Sequence, residues 1–194
     1  MIRYFSVLML ACCAWGQPAN LKPGLYAIFN TSEGVITAKL DEKYTPIAVK
    51  TFVGLAQGTR AWLDPNTHAW VRRPLYNGIT FHRVVREEMI QAGDPTGLGN
   101  HNCGITIKDE LLPGILFDRP GRLAMANTGK PDSGGCQFFI TDQAIRQWNN
   151  QYTIFGQVVD GQDVVGRINR KPLYGDKPVT PIALNSVTIR RVVK

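Results

Sequence analysis

A chain of 194 residues with 44% hydrophobic side chains can bury one core, and 19 glycines with 12 prolines favour short strands and turns over long helices. The formal net charge of +7 is scattered. Its tightest clusters, Arg72-Arg73 and Arg190-Arg191, are neither long runs nor interleaved with stacking aromatics, which argues against nucleic acid as a partner. None of the four cysteines shows C-x-x-C spacing, which argues against a zinc site and against thioredoxin-like redox chemistry.

Residues 1–16 read as a cleaved export signal. Arg3 precedes an apolar run over 5–15 that is shorter than the roughly 20 residues a membrane span needs. Ala14-Trp15-Gly16 offers small residues at both outer positions of a cleavage site. A buried N-terminal strand is the structural alternative, and Leu10-Ala11-Cys12-Cys13 loosely matches the signal of a lipid-anchored protein. Cleavage leaves a polar lead-in over 17–24 and one domain over 25–194, periplasmic or secreted. Cys103 and Cys136 would remain in an oxidising compartment, where they could pair.

Two β-rich runs, 25–29 and 35–40, flank the turn Thr31-Ser32-Glu33-Gly34. Thr45-Pro46 then supplies an N-cap and a first-turn proline. Val49, Phe52, Val53 and Ala56 recur at helical spacing, and Gly58 stops the helix. Residues 60–75 read as a long surface hairpin or loop whose Trp62 and Trp70 pack down as a flap, with a partner-binding loop as the alternative. Asn77-Gly78 turns into a strand over 79–85, which resumes over 89–92 before a Gly/Asn-rich loop over 93–104. Strands over 122–126, 137–141 and 153–159, a helix over 161–170 and a closing strand over 182–193 complete the chain. About eight strands, two helices and no βαβ repeat make an antiparallel barrel or sandwich with helices at its ends.

Nucleophile and metal chemistry find little support. Ser133 lies in Asp132-Ser133-Gly134-Gly135, which is no nucleophile elbow. His82 and His101 lack partners at ligand spacing, and Asp109-Glu110 reads as a solvated loop. No metal or other cofactor is expected.

Four segments in order carry a stronger signal. They are Phe81-His82-Arg83-Val84-Val85 with Met89-Ile90-Gln91-Ala92-Gly93-Asp94, then Leu123-Ala124-Met125-Ala126-Asn127, then Gln137-Phe138-Phe139-Ile140-Thr141, then Tyr152-Thr153-Ile154-Phe155-Gly156. With these residues and gaps the chain, over about 26–193, resembles the cyclophilin family of peptidyl-prolyl cis/trans isomerases. The resemblance implies a mainly β fold: a closed eight-stranded antiparallel barrel capped by two α-helices, with an active groove on its outside. It implies that Arg83 is the catalytic arginine and Gln91 the glutamine that orients it. Met89 and Phe139 would wall a proline pocket, and Ala126 and Asn127 would lie on the strand whose backbone holds the peptide. His82 and Gln137 would be further groove contacts, and Tyr152 stands where many members have a histidine.

The chain departs from that pattern in places. Counting from Arg83 puts Glu88 where the family has a phenylalanine. Gln147 takes the family's tryptophan position and Trp148 its leucine position, with Trp148 still expected to reach the groove. Cys103 and Cys136 fall in loops that flank the groove, where a disulfide would stiffen its outer pocket. The implied function is faster X–Pro rotation in exported proteins as they fold. The partners are proline-containing polypeptides, met by a monomer with no membrane span. Glu88 leaves a rival reading, a proline-peptide binding module of the same fold with turnover weakened or lost.

Overall fold

The computed structural model describes residues 21–193, so the expected export signal over 1–16 and the first part of the lead-in lie outside the described residues. β1 (Gly24–Thr31) and β2 (Gly34–Leu40) form the expected hairpin. Thr31 closes it: its hydroxyl donates to the Gly34 carbonyl at 2.7 Å and accepts from Glu33 N–H at 3.0 Å. α1 (Pro46–Gln57) ends at Gly58, whose φ of 72° is left-handed. A Cβ there would sit 2.6 Å from backbone atoms of Arg73 and Pro74, so both conformation and space require glycine.

The start of α1 differs from expectation. The Thr45 hydroxyl turns back to the Asp41 carbonyl at 3.2 Å and makes no cap. Instead the Glu110 carboxylate accepts from Ile47 N–H at 3.0 Å and Ala48 N–H at 2.9 Å. Glu110 is therefore no idle loop residue; it satisfies orphan donors at the positive end of the helix.

β3 (Trp62–Leu63) and β4 (Trp70–Val71) make the hairpin expected within 60–75. Only one of its tryptophans packs down. Trp62 is 1% exposed, donates from its indole to the Arg73 carbonyl at 2.9 Å and lies under the Arg73 guanidinium, whereas Trp70 is 59% exposed.

The remaining elements are β5 (Ile79–Thr80), β6 (Arg83–Val85), β7 (Met89–Ala92), β8 (Arg122–Met125), β9 (Phe138–Thr141), β10 (Ile154–Asp160), α2 (Gln162–Asn169), β11 (Leu173–Tyr174), β12 (Lys177–Pro178) and β13 (Ala183–Val192). A single curled antiparallel sheet runs in the order β5-β13-β1-β2-β10-β8-β9-β7-β6. It is open and nine-stranded, which corrects the expected closed barrel of eight. The strand expected over 79–85 is interrupted at Phe81-His82. Its first piece pairs with β13 and its second with β7, so one stretch of chain supplies both edges of the sheet. Two residues between the edges force the sheet to curl until the edges come together, with no ladder joining them. The β11–β12 hairpin covers part of this seam, where Val84 N–H donates to the Asp176 carbonyl at 2.7 Å and an edge donor is satisfied.

Helix α1 packs against β13, and α2 against β2, β6 and β7. Inside the sheet, Phe52 of α1 lies 5.1 Å from the rings of Tyr76 and Phe155, 5.4 Å from Phe138 and 5.9 Å from Phe29. All five rings are fully buried. No helix among the described residues is long and apolar enough to cross a membrane.

Candidate active site

Residues directly opposite one another on antiparallel strands share a face of the sheet. One such row runs Arg83–Gln91–Phe139–Ala124–Ile154 across β6, β7, β9, β8 and β10. Its neighbours along the strands, Val84, Ile90, Phe138 and Leu123, belong to the interior core. The row itself faces outward, where Met89, Phe117, Ala124, Phe139, Ile145 and Ile154 form a second apolar cluster. Every residue of β7 and β9 is buried for this reason: the interior covers one face and the outer cluster the other.

Trp148 and Tyr152 add partly exposed rings to the outer cluster. The Phe139 ring lies 5.2 Å from Tyr152 and 5.5 Å from Trp148, both edge-on, and 5.9 Å from a stacked Phe117. Edge-to-face contact suits the ring quadrupoles and holds the aromatics at fixed angles. With Arg83, the rings of Phe139, Trp148 and Tyr152 line a groove of about 800 Å³.

Arg83 enters the groove from β6. Its Nη1 donates to Gln91 Oε1 at 3.3 Å and its Nε to Asp176 Oδ2 at 3.1 Å. Gln91 in turn donates to Gln137 Oε1 at 2.7 Å, and Gln137 donates to the carbonyls of Gly99 at 3.1 Å and His101 at 3.0 Å. This relay of amides aims the Gln91 oxygen at the guanidinium. Ala126 N–H donates to the Gln137 carbonyl at 3.0 Å. Asn127 ties the rim together: its side chain donates to the Gln151 carbonyl at 2.9 Å and accepts from Gly129 N–H at 3.0 Å.

His82 lines the groove beside Arg83 and is 8% exposed. Burial holds its pKa below the ordinary histidine value, against the pull of the Asp94 carboxylate toward the charged form. Burial also pushes the Asp94 carboxyl upward. Hydrogen bonds from Thr96, His101 and Gly99 together outweigh it and leave that pKa below the usual carboxylate range.

A smaller hollow of about 140 Å³ adjoins the groove and shares Gln91, Gly99, Ala126 and Asn127 with it. Gln137 and Cys136 line this hollow. Cys136 is joined by a disulfide to Cys103, with the two Cα atoms 6.1 Å apart. The bond ties the 93–104 loop to the segment that enters β9.

The structure thus gathers His82, Arg83, Met89, Gln91, Ala126, Asn127, Phe139, Trp148 and Tyr152 around one groove, with Gln137 in the adjoining hollow. It adds groups that the sequence did not single out. Phe117 lies beneath the rings, and Tyr174, Asp176 and Lys177 reach the groove from the β11–β12 hairpin. Gly175-Asp176 was a readable turn signal, but strands of two residues carry no periodicity to go with it.

A family model described as cyclophilin type peptidyl-prolyl cis-trans isomerase/CLD matches residues 26–189. The chain belongs to this family. This cyclophilin is 42% identical over 166 residues to the peptidyl-prolyl cis-trans isomerase A of Mycobacterium tuberculosis (strain ATCC 25618 / H37Rv), covering 84% of this chain and 91% of that one. It is 39% identical over 167 residues to the peptidyl-prolyl cis-trans isomerase-like 1 of Mus musculus, covering 84% and 89%. A crystal structure of a cyclophilin type isomerase from Cryptosporidium parvum, in the presence of the dipeptide Ala-Pro, matches with a TM-score of 0.74 at 29% identity, covering 86% of this chain and 99% of that one. The chain is accordingly a peptidyl-prolyl cis-trans isomerase.

Both departures from the cyclophilin pattern have a physical setting. Glu88 sits in the turn before β7, where its N–H donates to the Val85 carbonyl at 3.0 Å and its carbonyl accepts from Asp142 N–H at 2.7 Å. It is absent from the groove lining, and the ion-pair partner of Arg83 is Asp176 instead. A 3-10 turn, Arg146–Trp148, puts the Trp148 ring into the groove and leaves Gln147 exposed.

Proposed function

We propose that this cyclophilin turns X–Pro bonds in exported proteins as they fold, with Arg83 donating a hydrogen bond to the proline nitrogen in the twisted state. An X–Pro bond turns slowly because its amide is conjugated, with a barrier of about 20 kcal/mol. No covalent bond breaks, so no nucleophile is needed. Rotation ends the conjugation and leaves a lone pair on nitrogen. A guanidinium hydrogen aimed there binds the twisted state better than the planar one, which is the condition for catalysis. The apolar recess of Met89, Phe139, Trp148 and Tyr152 seats the pyrrolidine ring while the preceding carbonyl swings.

The observation that carries this reading is a guanidinium oriented by Gln91 beside that recess. Glu88, outside the groove lining, leaves the arginine available and favours turnover over mere retention of peptide. On an Xaa-Pro test peptide, Arg83→Ala lowers kcat/KM about a hundredfold, equivalent to about 2.7 kcal/mol of transition-state binding. The side chain is 48% exposed, so the variant folds as before. Turnover unchanged in that variant overturns the mechanism.

Export rests on the residue pattern of 1–16 and on the Cys103–Cys136 disulfide, a bond that persists in oxidising compartments. Protein recovered from fractionated cells begins at Gln17, in the periplasm or the medium. A retained Met1 refutes export, whereas a lipid on Cys12 or Cys13 keeps export and replaces the free protein with a lipid-anchored one.

A further inference from the structure

Arg83 is held from two sides, and only one of them is the side that Gln91 supplies. The second acceptor is Asp176, whose Oδ2 lies 3.1 Å from Nε of the guanidinium. Asp176 stands in the two-residue turn of the β11–β12 hairpin, after Gly175 at φ 59°. The hairpin is anchored to the strand that bears Arg83: Val84 N–H donates to the carbonyl of the same Asp176 at 2.7 Å. Backbone and side chain of one residue therefore grip β6 and its arginine together.

A guanidinium is a planar fork of five N–H donors. Gln91 engages Nη1 and Asp176 engages Nε, on two different edges of the fork. Two acceptors on two edges fix the plane of the group and its rotation within that plane. One acceptor alone leaves it free to swing about the bond it makes. Arg83 lines the groove, so its remaining donors are available to a peptide seated there.

We infer that Asp176 is a positioning residue for the isomerase reaction, acting on substrate through Arg83, and that the β11–β12 hairpin is a functional part of the site. The inference rests on the role of Arg83 proposed above. The two partners are 48% and 55% exposed, so the contact is an open ion pair. Pairs of that kind contribute little to stability and are screened by salt. The effect therefore falls on the orientation of the arginine in the transition state, while folding and ground-state peptide affinity stay as they are.

The test is a double-mutant cycle on an Xaa-Pro peptide at low ionic strength, with Asp176→Ala, Asp176→Asn, Arg83→Ala and the Arg83/Asp176 double variant. Asp176→Ala lowers kcat about two- to fivefold with KM unchanged, the range expected when an exposed ion pair is lost. Asp176→Asn, which keeps an acceptor oxygen without the charge and preserves the turn, falls between Ala and wild type. In the Arg83→Ala background, removal of Asp176 has no further effect. At about 1 M salt, where the Debye length is about 3 Å, the gap between wild type and Asp176→Ala narrows. Additive losses in the cycle, or a faster Asp176→Ala enzyme, overturn the inference, the latter by showing that Asp176 competes with substrate. If Arg83→Ala itself leaves turnover intact, it is the underlying mechanism that has failed.

Discussion

Phe138 and Phe139 are neighbours on β9, yet they belong to different hydrophobic clusters. Phe138 points into the sheet and meets Phe29, Phe52 and Tyr76 at 5.3 to 5.5 Å. Phe139 points out and meets Trp148, Tyr152 and Phe117 at 5.2 to 5.9 Å. The spacing of the rings is alike in the two places, and two of the three contacts in each are edge-on. What differs is closure. The inner rings are enclosed by the sheet and α1, whereas the outer rings keep one side open to the groove. The outer cluster is a core with one wall missing, which a pyrrolidine ring would complete under the proposed mechanism. The alternation of side chains along a strand lets one short segment serve both purposes.

The sharpest way to break that comparison is to truncate each ring. Phe138→Ala leaves a cavity in the closed core and costs about 4 kcal/mol of unfolding free energy, read from urea denaturation. Its folded fraction retains normal turnover. Phe139→Ala is also destabilising, because the side chain is 3% exposed, but it lowers turnover far more than its unfolded fraction explains. If both variants lose only stability, the outer cluster is ordinary core and not a proline seat.

The disulfide comes next in size. Replacing both Cys103 and Cys136 with serine frees a loop of sequence separation 33 and costs about 3 kcal/mol, measured by thermal or urea unfolding. Because Cys136 lines the smaller hollow and not the main groove, turnover of a short Xaa-Pro peptide changes little while longer peptides bind more weakly. Equal losses for short and long peptides break the separation between groove and hollow. Trp148→Ala, at the half-open edge of the outer cluster, raises KM several-fold and leaves stability nearly unchanged, since the ring is only partly buried.

The sequence made the buried side of the site readable and hid the exposed side. Arg83, Gln91 and Phe139 lie on strands long enough to show their motifs, and cross-strand register then brings them into one row. Asp176 is invisible to that reasoning, because its hairpin has two-residue strands and its partner is 93 positions away. Glu110 escaped for the same reason: the helix end it satisfies is 62 residues upstream of it, at Ala48. The break at Phe81-His82 was also hidden. All of 79–85 has strand character locally, and only the curling of the whole sheet makes one stretch serve two edges.

His82 sits at that break, on the boundary between the closed and open regions, and gives the smallest expected effect. Burial favours its neutral form in the folded protein. The unfolded chain takes up a proton near the ordinary histidine pKa of about 6.5, while the folded chain does so only at lower pH. Between those two values the unfolded state binds more protons, so stability falls as pH falls through this window and is fully present above it. The neighbouring Asp94 carboxyl, held below the usual carboxylate range, stays ionised throughout and does not account for the slope. His82→Gln keeps a polar side chain but removes the titration. Melting temperatures compared at pH 7.5 and pH 5.5 show a smaller loss on acidification in the variant than in the wild type. An identical loss in both places the imidazole in contact with water, which would move the boundary between the two regions to the other side of β6.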